Sequence, residues 1–567
     1  MTSPISFQLL APNNPEVSLL GNWDGWQPFI MRRGEDGMWR AEVPLEDGDY
    51  EYLFEVVSCS EQLQGRKIRV PDPCALEWTR EDKTRLHIRN GAIVHAEYTW
   101  QYEDAQLPPN ENLIIYELHI GDFSGGEGDE KPGGGAGTLQ DAIDKLDYLV
   151  DLGINAIELM PLTAGPPGHQ MGYSQRTFFA LNESYGTPTD FARFVDECHA
   201  RGIRVIHDSV YNHTATDAIW ALIDFDHWYF KINPDDFDFG PKLNYDAVDP
   251  RSGKQYVREY AFESMRLWMQ EFHLDGIRFD YARALSPEVL GEFRALLRKA
   301  AAPRNFFAIA EHIPENPSIV GPQAPTDAAW SQSILTQVLC TALGKPHRDQ
   351  RPFHMEALNV ALDWRVCGYQ SAHHIITYLE SHDEPRIMTI FDDNPNLTRE
   401  ARFRRAKLAA ALLLTAPGIP MLWMGQEFGE EGRKPELPQP LRWRLLQQSD
   451  HRDLWEYYRK LIRLRKENPA LTSNTLHLFP PDQNDLVLHF LRWSEDKRHQ
   501  VLVIANVQDA PLQSHEFDTA RLAEGSWRDA LTGREFTFTQ SPVTIDLAPS
   551  QVMILCHSTQ PYTPRPV

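Results

Sequence analysis

Four short segments place polar residues just where apolar runs end: HDSVYNH with Asp208 and His213, IRFD with Arg278 and Asp280, FFAIAE with Glu311, and ESHD with His382 and Asp383. Acids, an arginine and two histidines delivered from successive strand ends suit the cleavage of a glycosidic bond. That reaction needs an acid to protonate the leaving oxygen and a carboxylate on the opposite side of the ring; retention requires the second group to attack carbon directly. Asp280 and Glu311 are the natural pair. Arg278 stands two residues before Asp280 on the same strand and points to the same face, where it can hold Asp280 ionised and oriented. Glu311 ends an almost wholly apolar strand, so partial desolvation favours its protonated form and an acid role. Asp383 is a third carboxylate able to bind sugar hydroxyls, His213 and His382 can donate to the same ring, and Tyr173 in MGYSQRTFFA can stack beneath it.

Each residue alone has a plainer reading. An Asp after a strand often caps a helix, a lone His or Tyr usually packs, and Arg278 with Asp280 can be a structural ion pair. Glu311 is harder to dismiss, because Glu is a weak cap and costly at a buried strand end. The combination favours a single site.

The elements that must position these residues follow a β/α rhythm from Leu113 onward. Leu113 to Leu118 is the first strand-like run. Thr138 is a helix N-cap, with Leu139, Ile143, Leu146 and Val150 on one face and Gly153 as the stop; NAIELMP is the next strand. Thr187 and Pro188 open a helix with Phe191, Phe194, Val195 and Cys198 on one face, ended by Gly202 before IRVIHD. The segment at about 214–256 interrupts this rhythm and reads as an irregular inserted loop or small subdomain. The alternation then resumes with a helix from Val257 to Phe272, GIRFD, a helix from Ser286, FFAIAE, IITYLESHD, a helix from about Thr398 to Leu414, and GIPMLWMG. Eight such units would close an α/β fold of the (β/α)8 TIM-barrel type, whose catalytic groups sit at the C-terminal ends of the strands. Residues 1–97 read as short strands between turns, an N-terminal β-sandwich; residues 98–472 as the barrel; and residues 473–567 as a second, C-terminal β-sandwich.

Composition bounds the partners. The 55 basic and 80 acidic residues give a net charge of −25, which repels nucleic acid and anionic membrane surfaces and favours a neutral polar substrate. The 15 Trp, 19 Tyr and 27 Phe supply flat apolar faces suited to sugar rings, although most must be core. Six cysteines, at 59, 74, 198, 340, 367 and 556, lack metal-ligand spacing and read as reduced. With no apolar leader and no run of about 18 apolar residues, a cytoplasmic location is expected.

At these motifs the sequence resembles the α-amylase superfamily of retaining α-glucan-active enzymes, glycoside hydrolase family 13. HDSVYNH, DGIRFDYAR, FAIAEH and ESHDE resemble its four main regions in order, and GPKLNYD and GIPMLWMGQEF its accessory regions. The resemblance implies Asp280 as nucleophile, Glu311 as acid/base and Asp383 as transition-state stabiliser, with Tyr173, Asp208, His213, Arg278 and His382 lining the subsite on the non-reducing side. Residues 1–97 are similar to glycogen-binding modules, so Trp23, Trp26 and Trp39 either stack on glucan or pack on the barrel. Tyr281, Ala282, Arg283 and Ala284 stand where many α-amylases carry a Lys-His pair, which weakens the case for their calcium site although Asn212 keeps a ligand position. The acidic GGEGDEKPGGGAG stretch lacks the spacing of a calcium loop. No cofactor is required on this reading. The expected activity is an amylase-type α-1,4-glucan hydrolase; the alternatives are a branching enzyme, a maltooligosyltrehalose trehalohydrolase, or a non-catalytic glucan-binding protein.

Overall fold

The computed structural model describes residues 3–125, 137–166, 171–343, 354–433, 439–480, 485–538 and 541–559. Most of the GGEGDEKPGGGAG stretch, residues 126–136, lies outside the described residues. At the centre is a closed barrel of eight parallel strands: β1 (Ile115–Leu118), β2 (Ala156–Leu159), β3 (Arg204–Ser209), β4 (Gly276–Phe279), β5 (Phe307–Ala310), β6 (Ala328–Trp330), β7 (Ile375–Thr377) and β8 (Ile419–Trp423). Every residue of these strands is buried, which is why they read as apolar runs without alternation. Seven of the eight contain runs visible in the sequence. The other, β6, is only AAW in its hydrogen-bonded part, too short and too rich in alanine to stand out.

The connections form as their end signals dictate. Thr187 and Asp190 make a reciprocal capping box at the start of helix Pro188–Ala200, whose Phe191, Phe194, Val195 and Cys198 are buried. Thr138 and Asp141 make another, but the expected single helix is two, Leu139–Ile143 and Leu146–Leu152. After the break at Asp144 and Lys145 the buried face is reset to Leu146, Leu149 and Leu152, so Val150 points to solvent at 45% exposure. The insertion before Tyr256 is not wholly irregular: Ile219–Trp228 is helical, and its Trp220 and Trp228 rings stack with centroids 4.0 Å apart.

Antiparallel sheets flank the barrel. At the N-terminal side a three-stranded and a six-stranded sheet share a continuous apolar core with the barrel. Ser58 Oγ donates to Leu222 O at 2.6 Å and Asn14 Nδ2 to Ile223 O at 3.0 Å, tying this module to the inserted helix. Trp39 is buried with its indole N–H on Ala11 O, and Trp23 packs against Phe7; Trp26 is half-buried, with Lys83 over its ring at 5.3 Å. At the C-terminal side, the central strands Val487–Trp493 and His499–Asn506 bury both faces. Val501, Val503 and Ala505 join the barrel core, while Leu502 and Ile504 join a separate core with Trp527 and Phe538. Among the described residues none of the six cysteines forms a disulfide, and no helix is long and apolar enough to cross a membrane.

Replacing Thr187 with Ala removes the hydroxyl that accepts from the Asp190 N–H, while the residue 187 N–H keeps its bond to the Asp190 carboxylate, and should cost about 1 kcal/mol. The expected readout is a lower urea midpoint for the full-length protein; an unchanged midpoint would show that the cap is not limiting.

Candidate active site

Asp208 and Arg278 are register partners on β3 and β4, so their side chains share one face of the barrel wall. Arg278 has no exposed surface. Its Nη1 donates to Asp208 Oδ1 and Oδ2 at 2.8 and 2.9 Å and to Asp280 Oδ1 at 3.0 Å, and its Nη2 lies 2.9 Å from Glu311 Oε2. The guanidinium also sits over the Trp330 ring, 4.4 Å from its centroid. Burial opposes the Arg278 charge, but Asp208, Glu311, Tyr173 and Asp280 together raise its pKa well above the ordinary value. One cation thereby holds the carboxylates that follow β4 and β5.

Each carboxylate is fixed a second time. Asn212 Nδ2 donates to Asp280 Oδ2 at 3.1 Å and to its carbonyl at 2.9 Å, so one oxygen of Asp280 faces Arg278 and the other Asn212. The Tyr281 N–H donates to Glu311 Oε2 at 2.9 Å. Burial raises the Glu311 pKa, Arg278 opposes that shift, and the Asp280 and Asp383 charges add to it. Burial likewise lifts Asp208 to about 7 against the pull of Arg278.

A second chain runs through His382. Its Nδ1 lies 2.6 Å from Glu117 Oε1 on β1, and its Nε2 lies 3.2 Å from Asp383 Oδ2. Burial disfavours the imidazolium, yet Asp383 and Glu117 overcome it and push the His382 pKa well above the usual histidine range. The Tyr173 ring stacks on His382 with centroids 4.7 Å apart, and its hydroxyl donates to Asp208 Oδ2 at 2.5 Å. Both chains are thus joined at Asp208 and Tyr173.

The eight side chains named from the sequence fall on two linked networks around one end of the barrel. Asp280, Glu311 and Asp383 keep side-chain exposures of 12%, 15% and 36%, whereas Arg278 and Asp208 are sealed at 0% and 1%, with their polar groups turned to one another and to the carboxylates. Both His213 ring nitrogens face protein acceptors: Nδ1 faces Asn212 Oδ1, and Nε2 lies 3.0 Å from the Tyr173 carbonyl. Burial lowers its pKa to about 4, so near pH 7 the ring carries one N–H and donates to only one of these oxygens. The Asn212 amide nitrogen serves Asp280, and its oxygen faces His213 Nδ1. Among the described residues no group of three or more His, Cys, Asp or Glu is arranged to hold a metal.

Glu117, Asn212 and Trp330 were not singled out from sequence as parts of this machinery. The available signal for Glu117 was a carboxylate inside the apolar run LIIYEL, which is expensive unless partnered. Its register neighbour Glu158 on β2 is equally buried, and burial together with the Glu117 and Asp208 charges raises the Glu158 pKa well above normal.

A family model described as the alpha amylase catalytic domain matches residues 121–234 and 228–445, more than half of the chain. The chain belongs to the alpha-amylase family. This family is α-glucan-active, and members similar to the chain over nearly its whole length differ in reaction. The malto-oligosyltrehalose trehalohydrolase of Rhizobium sp. (strain M-11) is 28% identical, covering 91% of this chain and 93% of its own. The 1,4-alpha-glucan branching enzyme GlgB of Pseudomonas fluorescens (strain Pf0-1) is also 28% identical, covering 95% of this chain and 75% of its own. In fold the chain is similar to the pullulanase type I of Bacillus subtilis str. 168 solved with maltose, with a TM-score of 0.79 at 19% identity over 99% of this chain and 85% of that one.

Replacing Glu117 with Gln removes a charge that raises the His382 pKa, so His382 should lose its proton at lower pH than in the wild type. A raised histidine pKa contributes stability that is complete below the unfolded value of about 6.5 and is lost as pH rises through the folded value; E117Q should narrow that window from its upper side. Titration of ¹⁵N-histidine resonances against pH checks this, and an unmoved His382 would deny the coupling.

Proposed function

We propose that the protein is a retaining α-1,4-glucan hydrolase of amylase type, acting on glycogen, starch or maltooligosaccharides through a covalent glycosyl-enzyme. The observation that carries this reading is the sharing of one buried guanidinium by Asp280 and Glu311, which sets two partly exposed carboxyl groups close together at adjacent strand ends. Asp280 is the nucleophile. One of its oxygens bonds to the anomeric carbon as the bond to the departing glycosidic oxygen breaks, and Glu311 gives its proton to that oxygen. Burial supports the acid role by favouring the protonated Glu311. In the second half Glu311, now a carboxylate, takes a proton from water as that water displaces Asp280 from the sugar. Asp383, held by the Glu117–His382 chain, binds ring hydroxyls as the ring flattens. Tyr173, with Asp208, His213, Arg278 and His382 behind it, shapes the subsite on the non-reducing side.

A second reading is release of trehalose from a maltooligosyltrehalose. It is favoured by the near end-to-end match to the Rhizobium trehalohydrolase, whereas the branching enzyme has a quarter of its length unmatched. The covalent first half is common to both reactions, and the sugar seated on the leaving side separates them.

Incubation with amylose, glycogen, maltoheptaose and maltooligosyltrehalose separately, followed by product analysis, tests these readings. Short linear maltooligosaccharides with rising reducing ends are expected; free trehalose would favour the second reading, and new α-1,6 linkages without that rise would overturn both. Asp280→Asn should lose at least about 10³-fold in kcat/KM. Glu311→Gln should lose about 10² to 10⁴-fold on glucans but far less on α-maltosyl fluoride, whose leaving group needs no proton. Equal losses on the two substrates would remove Glu311 from the acid role.

A further inference from the structure

Phe237 and Phe239 are 55% and 54% exposed, an unusual state for two phenylalanines side by side. Their rings lie 5.9 Å apart and nearly parallel, at 23°. Both meet Tyr281 edge-on, at 6.4 and 5.1 Å, and Tyr281 directly follows Asp280. Phe239 also lies 5.9 Å from the His213 ring. The patch therefore borders the candidate active site.

The loop carrying these rings is tied down. Thr214 N–H donates to Pro241 O at 3.1 Å and Phe230 N–H to Lys242 O at 3.0 Å, closing its base on the segment that holds Asn212 and His213. Lys242 pairs with Asp235 at 2.5 Å. Arg283 reaches across from the strand β4 side, donating to Asp236 Oδ2 at 2.8 Å and to Ile313 O at 3.1 Å, so the loop is tied to the segments after both β4 and β5. Gly240 has φ +142, and a side chain there would meet the Thr214 carbonyl at 2.4 Å. Tyr281 itself adopts the left-handed region, φ 42 and ψ 49, which a bulky residue rarely occupies without cause. That conformation aims its N–H at Glu311 while its ring meets the two phenylalanines.

We infer that Phe237, Phe239 and Tyr281 form a stacking platform for a glucosyl ring on the leaving-group side of the cleaved bond, an inference that rests on the catalytic roles proposed above. A pyranose presents an apolar C–H face, and a flat exposed aromatic surface is its natural partner. The side follows from Glu311. The group that protonates the departing oxygen marks where the departing sugar lies, and the platform joins the site through the residue whose N–H holds Glu311. The Tyr173–His382 stack, carried by other loops, borders the site at Asp208 and Asp383. A ring seated on the platform is a leaving group in the forward direction and an acceptor when a sugar hydroxyl replaces water.

The double variant Phe237→Ala, Phe239→Ala tests this with two substrates. Maltoheptaose places glucosyl rings on the leaving side, whereas α-maltosyl fluoride places none there. The ratio of kcat/KM for maltoheptaose to that for the fluoride should fall about tenfold, and maltose should lose a similar factor as an acceptor of the maltosyl group. Phe237→Tyr, Phe239→Tyr keeps both ring faces and should restore the ratio. A ratio unchanged within about twofold in the alanine variant would overturn the platform, as would equal loss on both substrates, which marks a structural loop. If the wild type turns over neither substrate, the hydrolase reading fails, and the platform with it.

Discussion

A guanidinium with no exposed surface must be surrounded by groups that replace water, and the candidate site is built around that constraint. Arg278 meets it with Asp208 across the β3–β4 register, Asp280 two residues along its own strand, Glu311 after β5, and the face of Trp330 from β6. A buried charge left without partners costs several kcal/mol, whereas one paired with carboxylates holds them in place. Four consecutive strands therefore converge on one side chain, and the two carboxylates with catalytic potential inherit their positions from it. The Glu117–His382–Asp383 chain adds a second buried cation on the opposite strands, β1 and the segment after β7, and Tyr173 bridges the two.

Arg278 is one of several buried arginines, and two others show a different use of the same side chain. Arg465 donates to the carbonyls of Leu414 and Ala416, and Arg492 to those of Thr415, Leu471 and Ser473. Neither has a carboxylate partner among the described contacts, so burial lowers Arg465 to about 9 and Arg492 well below its usual value. Arg492, on the strand Val487–Trp493, fastens the C-terminal sheet to the end of helix Arg399–Thr415, and Arg465 holds that same helix end to helix Ser449–Glu467; both satisfy carbonyls that would otherwise be buried unpaired. Arg465 and Arg492 spend their donors on carbonyls, whereas Arg278 spends its own on three carboxyl groups.

Much of this organisation was legible in the sequence because polar residues at the ends of apolar runs are costly and therefore conspicuous. Asp208, Arg278, Asp280, Glu311, His382 and Asp383 stood out for that reason, and the strands carrying them could be read from the same runs. β6 could not, since its three residues have neither length nor branched side chains, and Trp330 went unnoticed with it. Glu117 was hidden inside a strand, and its partner His382 is 265 residues away, a distance no local pattern spans. Asn212 was visible only as a possible metal ligand, because its donor bond to Asp280 spans 68 residues and leaves no local pattern. The split of one predicted helix at Asp144 and Lys145 likewise follows from packing on the barrel, which propensity does not encode.

The single apolar core shared by the N-terminal sheets and the barrel has a bearing on how the protein is made. The N-terminal strands leave the ribosome before the barrel, yet part of the surface that covers them belongs to the helix Ile219–Trp228 and to barrel residues made later. Helix Ile219–Trp228 begins 163 residues after Val56 (219 − 56), and until it has emerged the N-terminal sheets lack part of their final cover. The module's last packing step is thus deferred to the middle of synthesis, and a nascent chain stalled before the insertion would present an unfinished apolar surface to its surroundings.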